Sequence, residues 1–242
     1  MANYPPQRRP PPPSWMRPLT ERLTPTVRGI VVALTLVYFF FVLAPALDPW
    51  IATHLLLGPR FWAGELWQPA TALVVNTHFS GWLFGLIGFW WVGAFVERIR
   101  GKRFFLGVLL AAGLLANVAA ALVARSIGDF SPRADAAGFA LTAVFVAFAR
   151  IYGPRPAQIW GAFSMRADTF TWLLLGFSLV VSLANRDWPG LAAEVVAIAV
   201  GFAATGLGDG LLARFRQGAR ARKLRRYRVL EGGKDGRRQD LN

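Results

Sequence analysis

Six apolar stretches alternate with shorter polar segments along the chain, and each is a candidate membrane-spanning helix. A helix of about 20 apolar residues crosses a hydrocarbon core of about 30 Å. No Lys or Arg interrupts any of the six stretches. The pattern predicts an all-α, polytopic membrane protein with six spanning helices. The stretches are Gly29–Leu47, Phe79–Val96, Phe104–Ala124, Ala136–Ala149, Phe170–Ala184 and Leu191–Leu212.

The fourth stretch, Ala136–Ala149, is the shortest, with 14 residues. As a helix it would be about 21 Å long, too short for the hydrocarbon core. A helix that begins inside the membrane leaves its first backbone N–H groups without intrahelical partners. Such a start is tolerated only where it is buried in protein or lines a water-filled cavity. We therefore expect Asp135, Ala137 and Gly138 at the floor of a cavity, and any function there.

The remaining segments predict loops and tails. Between the first two stretches, Asp48–Val75 carries Trp50, Trp62 and Trp67 and only short apolar pieces, which is typical of an interfacial loop. The N-terminal tail is rich in Pro and Arg, which favours extended, disordered chain, and it lacks the apolar region of a signal peptide. The predicted divisions are a tail at 1–26, a membrane domain at 27–213 and a basic tail at 214–242.

Basic residues are distributed unevenly over these loops. With six spans, both tails and the second and fourth loops share one side of the membrane and carry 23 of the 27 Lys and Arg; the other side carries four. By the positive-inside rule, both termini are expected in the cytoplasm of a multi-pass protein, which we assign to a bacterial plasma membrane. The C-terminal tail has 11 basic and 3 acidic residues from Arg214 on, and we expect it to bind anionic lipid. The net charge of +14 therefore does not require nucleic-acid binding, and we expect none.

Composition narrows the possible chemistry. The chain has no Cys, which excludes disulfide and thiolate chemistry, and its two His are too few for a His-rich metal site. We expect no metal and no cofactor. Asn117 is the one strongly polar group of the third stretch, and we expect it to bond a neighbouring helix.

Three separated motifs carry a family resemblance. The first is Glu65–Gly101, which contains Trp67 and closes with Glu97-Arg98-Ile99-Arg100-Gly101; the second is Asp135–Ala149; the third is Glu194–Phe202. Their residues and spacing resemble the rhomboid superfamily of intramembrane serine proteases over most of Thr24–Leu212. The resemblance implies a six-helix bundle whose short fourth helix starts inside the membrane. It also implies that Gly93 and Gly201 serve helix packing.

The resemblance also indicates which catalytic groups this chain lacks. Rhomboids cleave with a Ser at the start of the fourth helix and a His on the sixth, and these positions are Ala137 and Glu194. An alanine has no oxygen to attack a carbonyl. The His and Asn of the oxyanion site fall on Gly81 and Gly85, which offer no side-chain donor. Two further departures are Asn76 for an earlier His, with His78 two residues on, and Gln68 for the Arg that follows the loop Trp.

Two carboxylates lie close to the predicted cavity. Glu194 is about four residues into the sixth helix, and it either takes part in function, because burying a carboxylate in a membrane is costly, or reaches water at the outer end. Asp135 precedes the fourth helix, where capping the helix N-terminus is the simpler interpretation. A proton shared between the two would allow water activation, as in aspartic proteases, and we regard this as the lesser alternative.

The resemblance leads to the expectation of a non-proteolytic membrane protein that binds transmembrane or juxtamembrane segments of client proteins. The alternative is an active intramembrane endopeptidase with a divergent site. The residues expected to line the cavity and contact clients are Gln68, Asn76, His78, Gly81, Gly85, Asp135, Ala137, Gly138 and Glu194.

Overall fold

The computed structural model describes residues 23–129, 131–133, 136–154, 156–159 and 163–206. The chain divides into two compact units, Met1–Phe202 and Ala203–Asn242. The first unit is described below; of the second, the described part is residues 203–206, the last four of the final helix. Both predicted tails therefore lie almost wholly outside the described residues, as does Asp135.

Helices form nearly all of the described chain. In chain order they are α1 (Pro25–Leu43), α2 (Asp48–His54), α3 (Gln68–Thr71), α4 (Phe79–Arg100), α5 (Lys102–Ile127), α6 (Ala136–Tyr152), α7 (Ala167–Ala184) and α8 (Trp188–Gly206). Within the described ranges, α1, α4, α5, α7 and α8 are long and apolar enough to cross a membrane, and α6 is shorter, with 17 residues. The chain is thus a multi-pass membrane protein, as the pattern of apolar stretches predicts.

Two helices begin and end elsewhere than the apolar stretches suggest. The first helix covers Pro25–Leu43 rather than Gly29–Leu47, because Pro45 has no N–H to continue the helix; Pro45–Leu47 form a 3₁₀ turn instead. The last begins at Trp188 rather than Leu191, because the Asp187 carboxylate accepts the Gly190 N–H at 3.1 Å and caps the first turn. Glu194 is therefore the seventh residue of α8, one turn deeper than expected.

A β-hairpin joins α6 to α7, where the sequence predicts a polar loop. Strands β1 (Pro156–Ile159) and β2 (Phe163–Arg166) pair antiparallel, with Pro156 opposite Arg166. The helix before the hairpin ends at Tyr152 and is followed by Gly153, which adopts the left-handed conformation (φ 67°), and by Pro154. Both residues terminate a helix.

The shortest apolar helix, α6, is the most enclosed. It packs against α4, α5 and α7. Its buried residues are Ala137, Ala140, Leu141, Ala143, Val144, Val146, Ala147, Phe148 and Ala149. Many of them are small, so neighbouring helices approach closely. The closest approach is at Gly201 of α8, where an added Cβ would lie 2.7 Å from the Val146 Cβ and 2.8 Å from the Ala143 carbonyl oxygen.

A second contact joins α1 to α4. The Thr24 hydroxyl, one residue before α1, donates a hydrogen bond to the Glu97 carboxylate near the end of α4. Tyr38 stacks on Trp82 with ring centroids 4.8 Å apart. The start of α1 and the end of α4 are therefore on the same side of the bundle, as for two successive spans that run in opposite directions.

We expect Gly201→Ala to destabilise the protein by about 1–3 kcal/mol, because the new methyl group overpacks the contact with Val146. Gly107→Ala on α5 is the matched control, since nothing lies within 4 Å of its added Cβ. Thermal unfolding of the full chain in detergent micelles measures both variants. Equal unfolding temperatures for the two would contradict the close α6–α8 contact.

Candidate functional site

Arg133 joins three parts of the chain on the side where α6 and α8 begin. Its backbone pairs with Leu57 in the loop between α1 and α4, with N···O distances of 2.9 and 3.0 Å. One guanidinium nitrogen lies 2.5 Å from the Asp187 carboxylate and the other 2.5 Å from the Asp129 carboxylate. We refer to these four residues as the Arg133 cluster. It fixes the end of α5, the entry to α6 and the start of α8 against one another.

The Arg133 cluster shows that α6 and α8 run parallel. Arg133 precedes α6 by three residues, and its partner Asp187 directly precedes α8. Farther along, Gly201 of α8 meets Ala143 and Val146 of α6. The two helices therefore begin on the same side of the bundle, and they meet two to three turns into α6 and between three and four turns into α8.

Glu194 lies between these two points. It precedes Gly201 by seven residues, close to two helical turns, so both occupy the face of α8 that is turned to α6. Two turns back along α6 from its contact with Gly201 are residues 136–139. Glu194 is consequently level with the start of α6, where Ala137 is 6% exposed. The side chain of Glu194 is itself buried, with 1% of its surface exposed, so the alternative in which it reaches water does not hold within this chain.

The hydroxyls of Ser178 and Ser182 on α7 interact with the Glu194 carboxylate. Neither reaches standard hydrogen-bond geometry, so among the described residues both carboxylate oxygens lack a well-formed hydrogen bond. An unsatisfied carboxylate is among the costliest groups to bury. The first turn of α6, which lies level with it, carries Ala137 and Gly138 and has no hydroxyl or thiol. The start of α6 therefore offers no nucleophile, and the hydroxyls near the carboxylate are those of Ser178 and Ser182 on α7.

The face of α7 that meets Glu194 is buried over only half its length. Thr171, Leu175, Ser178 and Ser182 follow one another at helical spacing and share this face. Thr171 is fully buried and Leu175 is buried, whereas Ser178 is exposed and Ser182 is partly exposed. The inner face of α7 is therefore covered by this chain at its start and uncovered beside Glu194.

Other residues predicted to line the cavity are more dispersed. Asn76 is buried, while His78 and Gly81 are exposed at the start of α4. An added Cβ would meet nothing within 4 Å at Gly85 or at Gly138. The close contacts of α4 are at Gly88, against Leu141, and at Gly93, against Phe105.

Gln68 is enclosed in the loop between α1 and α4 rather than in an open cavity. It is fully buried, and its amide oxygen accepts the Gly58 N–H at 2.9 Å. Its amide nitrogen donates to the Thr53 carbonyl at 3.1 Å and to the Glu65 carboxylate at 3.0 Å. Every polar atom of the side chain is used locally, so Gln68 holds the loop together. Nearby, Asn117 donates to the Pro69 carbonyl at 2.7 Å and joins α5 to α3.

Sequence reasoning missed an ionic cluster in the same loop. The Glu65 carboxylate lies 2.9 Å from His54 Nδ1 and 3.2 Å from Arg60 Nη1. Burial alone would raise the pKa of Glu65, but hydrogen bonds from Arg60, His54 and Gln68 together hold this pKa below its usual value. The signal in the sequence was the density of polar residues among the tryptophans, which an interfacial loop explains equally well.

No group of three or more His, Cys, Asp or Glu able to hold a metal ion occurs among the described residues. In comparisons with known proteins, no protein-family model matches the chain, and no curated protein matches its sequence.

We expect Asp187→Ala to destabilise the start of α8 by about 1–2 kcal/mol, because it removes both the helix cap and a partner of Arg133. Asp187→Asn is the matched control, since an asparagine still caps, and it should cost less than about 1 kcal/mol. Hydrogen exchange at the Gly190 amide reports the cap directly. Equal exchange rates in the two variants would contradict the capping role.

A second expectation concerns pH. Because the folded-state pKa of Glu65 is lowered, its contribution to stability is present above the unfolded-state pKa and is lost as pH falls through the folded-state pKa. Glu65→Gln should therefore lower the unfolding temperature at pH 7, and the difference from the unaltered protein should shrink below about pH 4.5. Asp48→Asn, at an exposed carboxylate of the same loop, is the control. A difference that is independent of pH would contradict the ionic role of Glu65.

Proposed function

We propose that this chain is a rhomboid-like membrane protein that has lost proteolysis and binds transmembrane or juxtamembrane segments of client proteins. The observation that carries the proposal is the buried Glu194 carboxylate, which no described residue binds with standard hydrogen-bond geometry, level with the first turn of α6, which has no hydroxyl. A client bound there would be stabilised, retained or handed on, and would remain uncut.

The proposed architecture has six spans with both termini in the cytoplasm. Two contacts support it. The Thr24–Glu97 hydrogen bond places the start of α1 beside the end of α4. The Arg133–Asp187 ion pair places the starts of α6 and α8 together. If α6 is counted as a crossing in spite of its length, the chain alternates direction consistently and both tails fall on the side that carries most of the basic residues.

The proposed binding follows from the lack of water in the bilayer core. A polar group in a client helix has few partners in lipid, and the Glu194 carboxylate has no well-formed hydrogen bond among the described residues. Bringing the two together satisfies both groups, and an interhelical hydrogen bond of this kind contributes about 0.6–2 kcal/mol. The basic C-terminal tail would add contact with anionic lipid at about 1 kcal/mol per basic residue near the surface. The proposed location is a bacterial plasma membrane.

The test uses the full chain in liposomes with a single-span reporter that carries an Asn in the outer third of its helix. A photocrosslinking residue is placed at Gly81 or Ser178, and at lipid-facing Leu115 of α5 as the matched control. We expect capture of intact reporter at positions 81 and 178, little at 115, and no labelling by a serine-directed fluorophosphonate, since Ala137 has no hydroxyl.

Two outcomes would overturn the proposal. If the crosslinkers at positions 81 and 178 capture only lipid, the proposed client binding is contradicted. Cleavage of the reporter that is lost in Glu194→Gln, or reaction with the fluorophosphonate, would show an active endopeptidase with a divergent site.

A further inference from the structure

The region around Glu194 lacks a positive charge to match the carboxylate. The apolar parts of α6, α7 and α8 that surround it contain no Lys, Arg or His over residues 136–149, 169–184 and 188–206. Arg133, on this side of the bundle, is already paired with Asp129 and Asp187, and Asp187 precedes Glu194 by about two turns of α8. Glu194 is thus an acidic group in an uncharged part of the bundle.

Two serines of α7 separate the Glu194 carboxylate from the surface. The inner face of this helix is buried at Thr171 and Leu175 and becomes exposed at Ser178. Ser178 and Ser182 carry the two hydroxyls that approach the carboxylate. A helix from another protein that packs on this uncovered part of α7 would lie beside both hydroxyls and reach the buried carboxylate by displacing the two serine side chains.

We propose that the partner selected at this site is a transmembrane helix with a Lys or Arg about 9 Å below its outer end, the depth of Glu194 as the seventh residue of α8. This inference rests on the proposed function and names the class of client. The cationic side chain donates hydrogen bonds to the Glu194 carboxylate. Its remaining N–H groups donate hydrogen bonds to the Ser178 and Ser182 oxygens.

A cationic side chain should bind the Glu194 carboxylate more tightly than a neutral polar side chain does. A charge-assisted hydrogen bond is roughly twice as strong as a neutral one. For two ions the cost of leaving water often cancels the attraction. Here, both ions are already held in the membrane, one by α8 and one by the client helix, so pairing them relieves a cost that each has incurred alone.

The depth of the client's charge provides a second criterion. A Lys close to the end of a helix extends its ammonium group into the interfacial region and needs no protein partner. A Lys at the middle of the bilayer would lie below Glu194. Selection therefore falls on a basic residue in the outer third of the client helix.

The test measures binding of synthetic single-span peptides to the full chain in phosphatidylcholine nanodiscs, where the basic tail has no anionic lipid to bind. The chain has no Cys, so Asn185→Cys at the exposed α7–α8 turn gives a single site for a fluorophore. The peptides are identical Leu-Ala helices with Lys, Met or Asn in the outer third, and one carries its Lys at the middle.

We expect the outer-third Lys peptide to bind about tenfold tighter than the Met and Asn peptides and than the peptide with a central Lys. Glu194→Gln should bring the dissociation constants of all four peptides within about twofold of one another. The double variant Ser178→Ala with Ser182→Ala should weaken binding of the outer-third Lys peptide severalfold. Thr35→Ala is the matched control, since its hydroxyl bonds only to the Val31 carbonyl of its own helix at 2.7 Å. The comparison of peptides on the unaltered protein does not depend on the folding of any variant.

The outcomes separate this inference from the proposed function. Equal binding of the Lys, Met and Asn peptides would overturn the inference and leave client binding in place. Failure of every peptide to bind would overturn both. The inference would also be overturned if the site binds a free cation instead. In that case the unfolding temperature of the protein would be higher in sodium chloride than in choline chloride, and the four peptides would bind equally.

Discussion

The Arg133 cluster is the constraint on which the geometry of this protein depends. One guanidinium group binds the carboxylates that follow α5 and precede α8, and the backbone of the same residue pairs with the loop between α1 and α4. Asp187 is shared between Arg133 and the first turn of α8. The level at which α8 starts is therefore set by the same contact that sets the entry to α6. The placement of Glu194 level with the start of α6 follows from that arrangement.

The short helix α6 illustrates how a membrane protein accommodates a segment that is poorly suited to lipid. Its 17 residues would span a hydrocarbon core poorly on their own. Protein surrounds it instead, because small side chains on α6 and a glycine on α8 allow the helices to approach within contact of backbone atoms. A helix enclosed in this way needs no lipid-facing surface, and its first turn can lie beside a polar group such as Glu194.

Hydropathy was sufficient to predict the membrane helices because a long apolar segment has no other stable environment. Boundaries were harder to predict. The sequence gives no apolar signal at Asp187, and only its bond to Gly190 explains why α8 starts three residues early. Gln68 and Glu65 were also difficult, because their partners at Gly58, Thr53 and His54 are brought together by the path of a loop. Glu194 could be identified from sequence as an intramembrane carboxylate, but its burial and its lack of a partner depend on where α7 and α6 pack.

The hydrogen bond between Thr24 and Glu97 has a consequence for biosynthesis. Its two residues are 73 positions apart, so α1 enters the bilayer well before its partner on α4 exists. At a synthesis rate of 5–20 residues per second, this interval is about 4–15 seconds. Few residues of α1 are buried even in the finished protein, and Leu36, Phe40 and Val42 remain exposed. The first helix is thus suited to stand alone in lipid until α4 has been inserted, and only then can this hydrogen bond form.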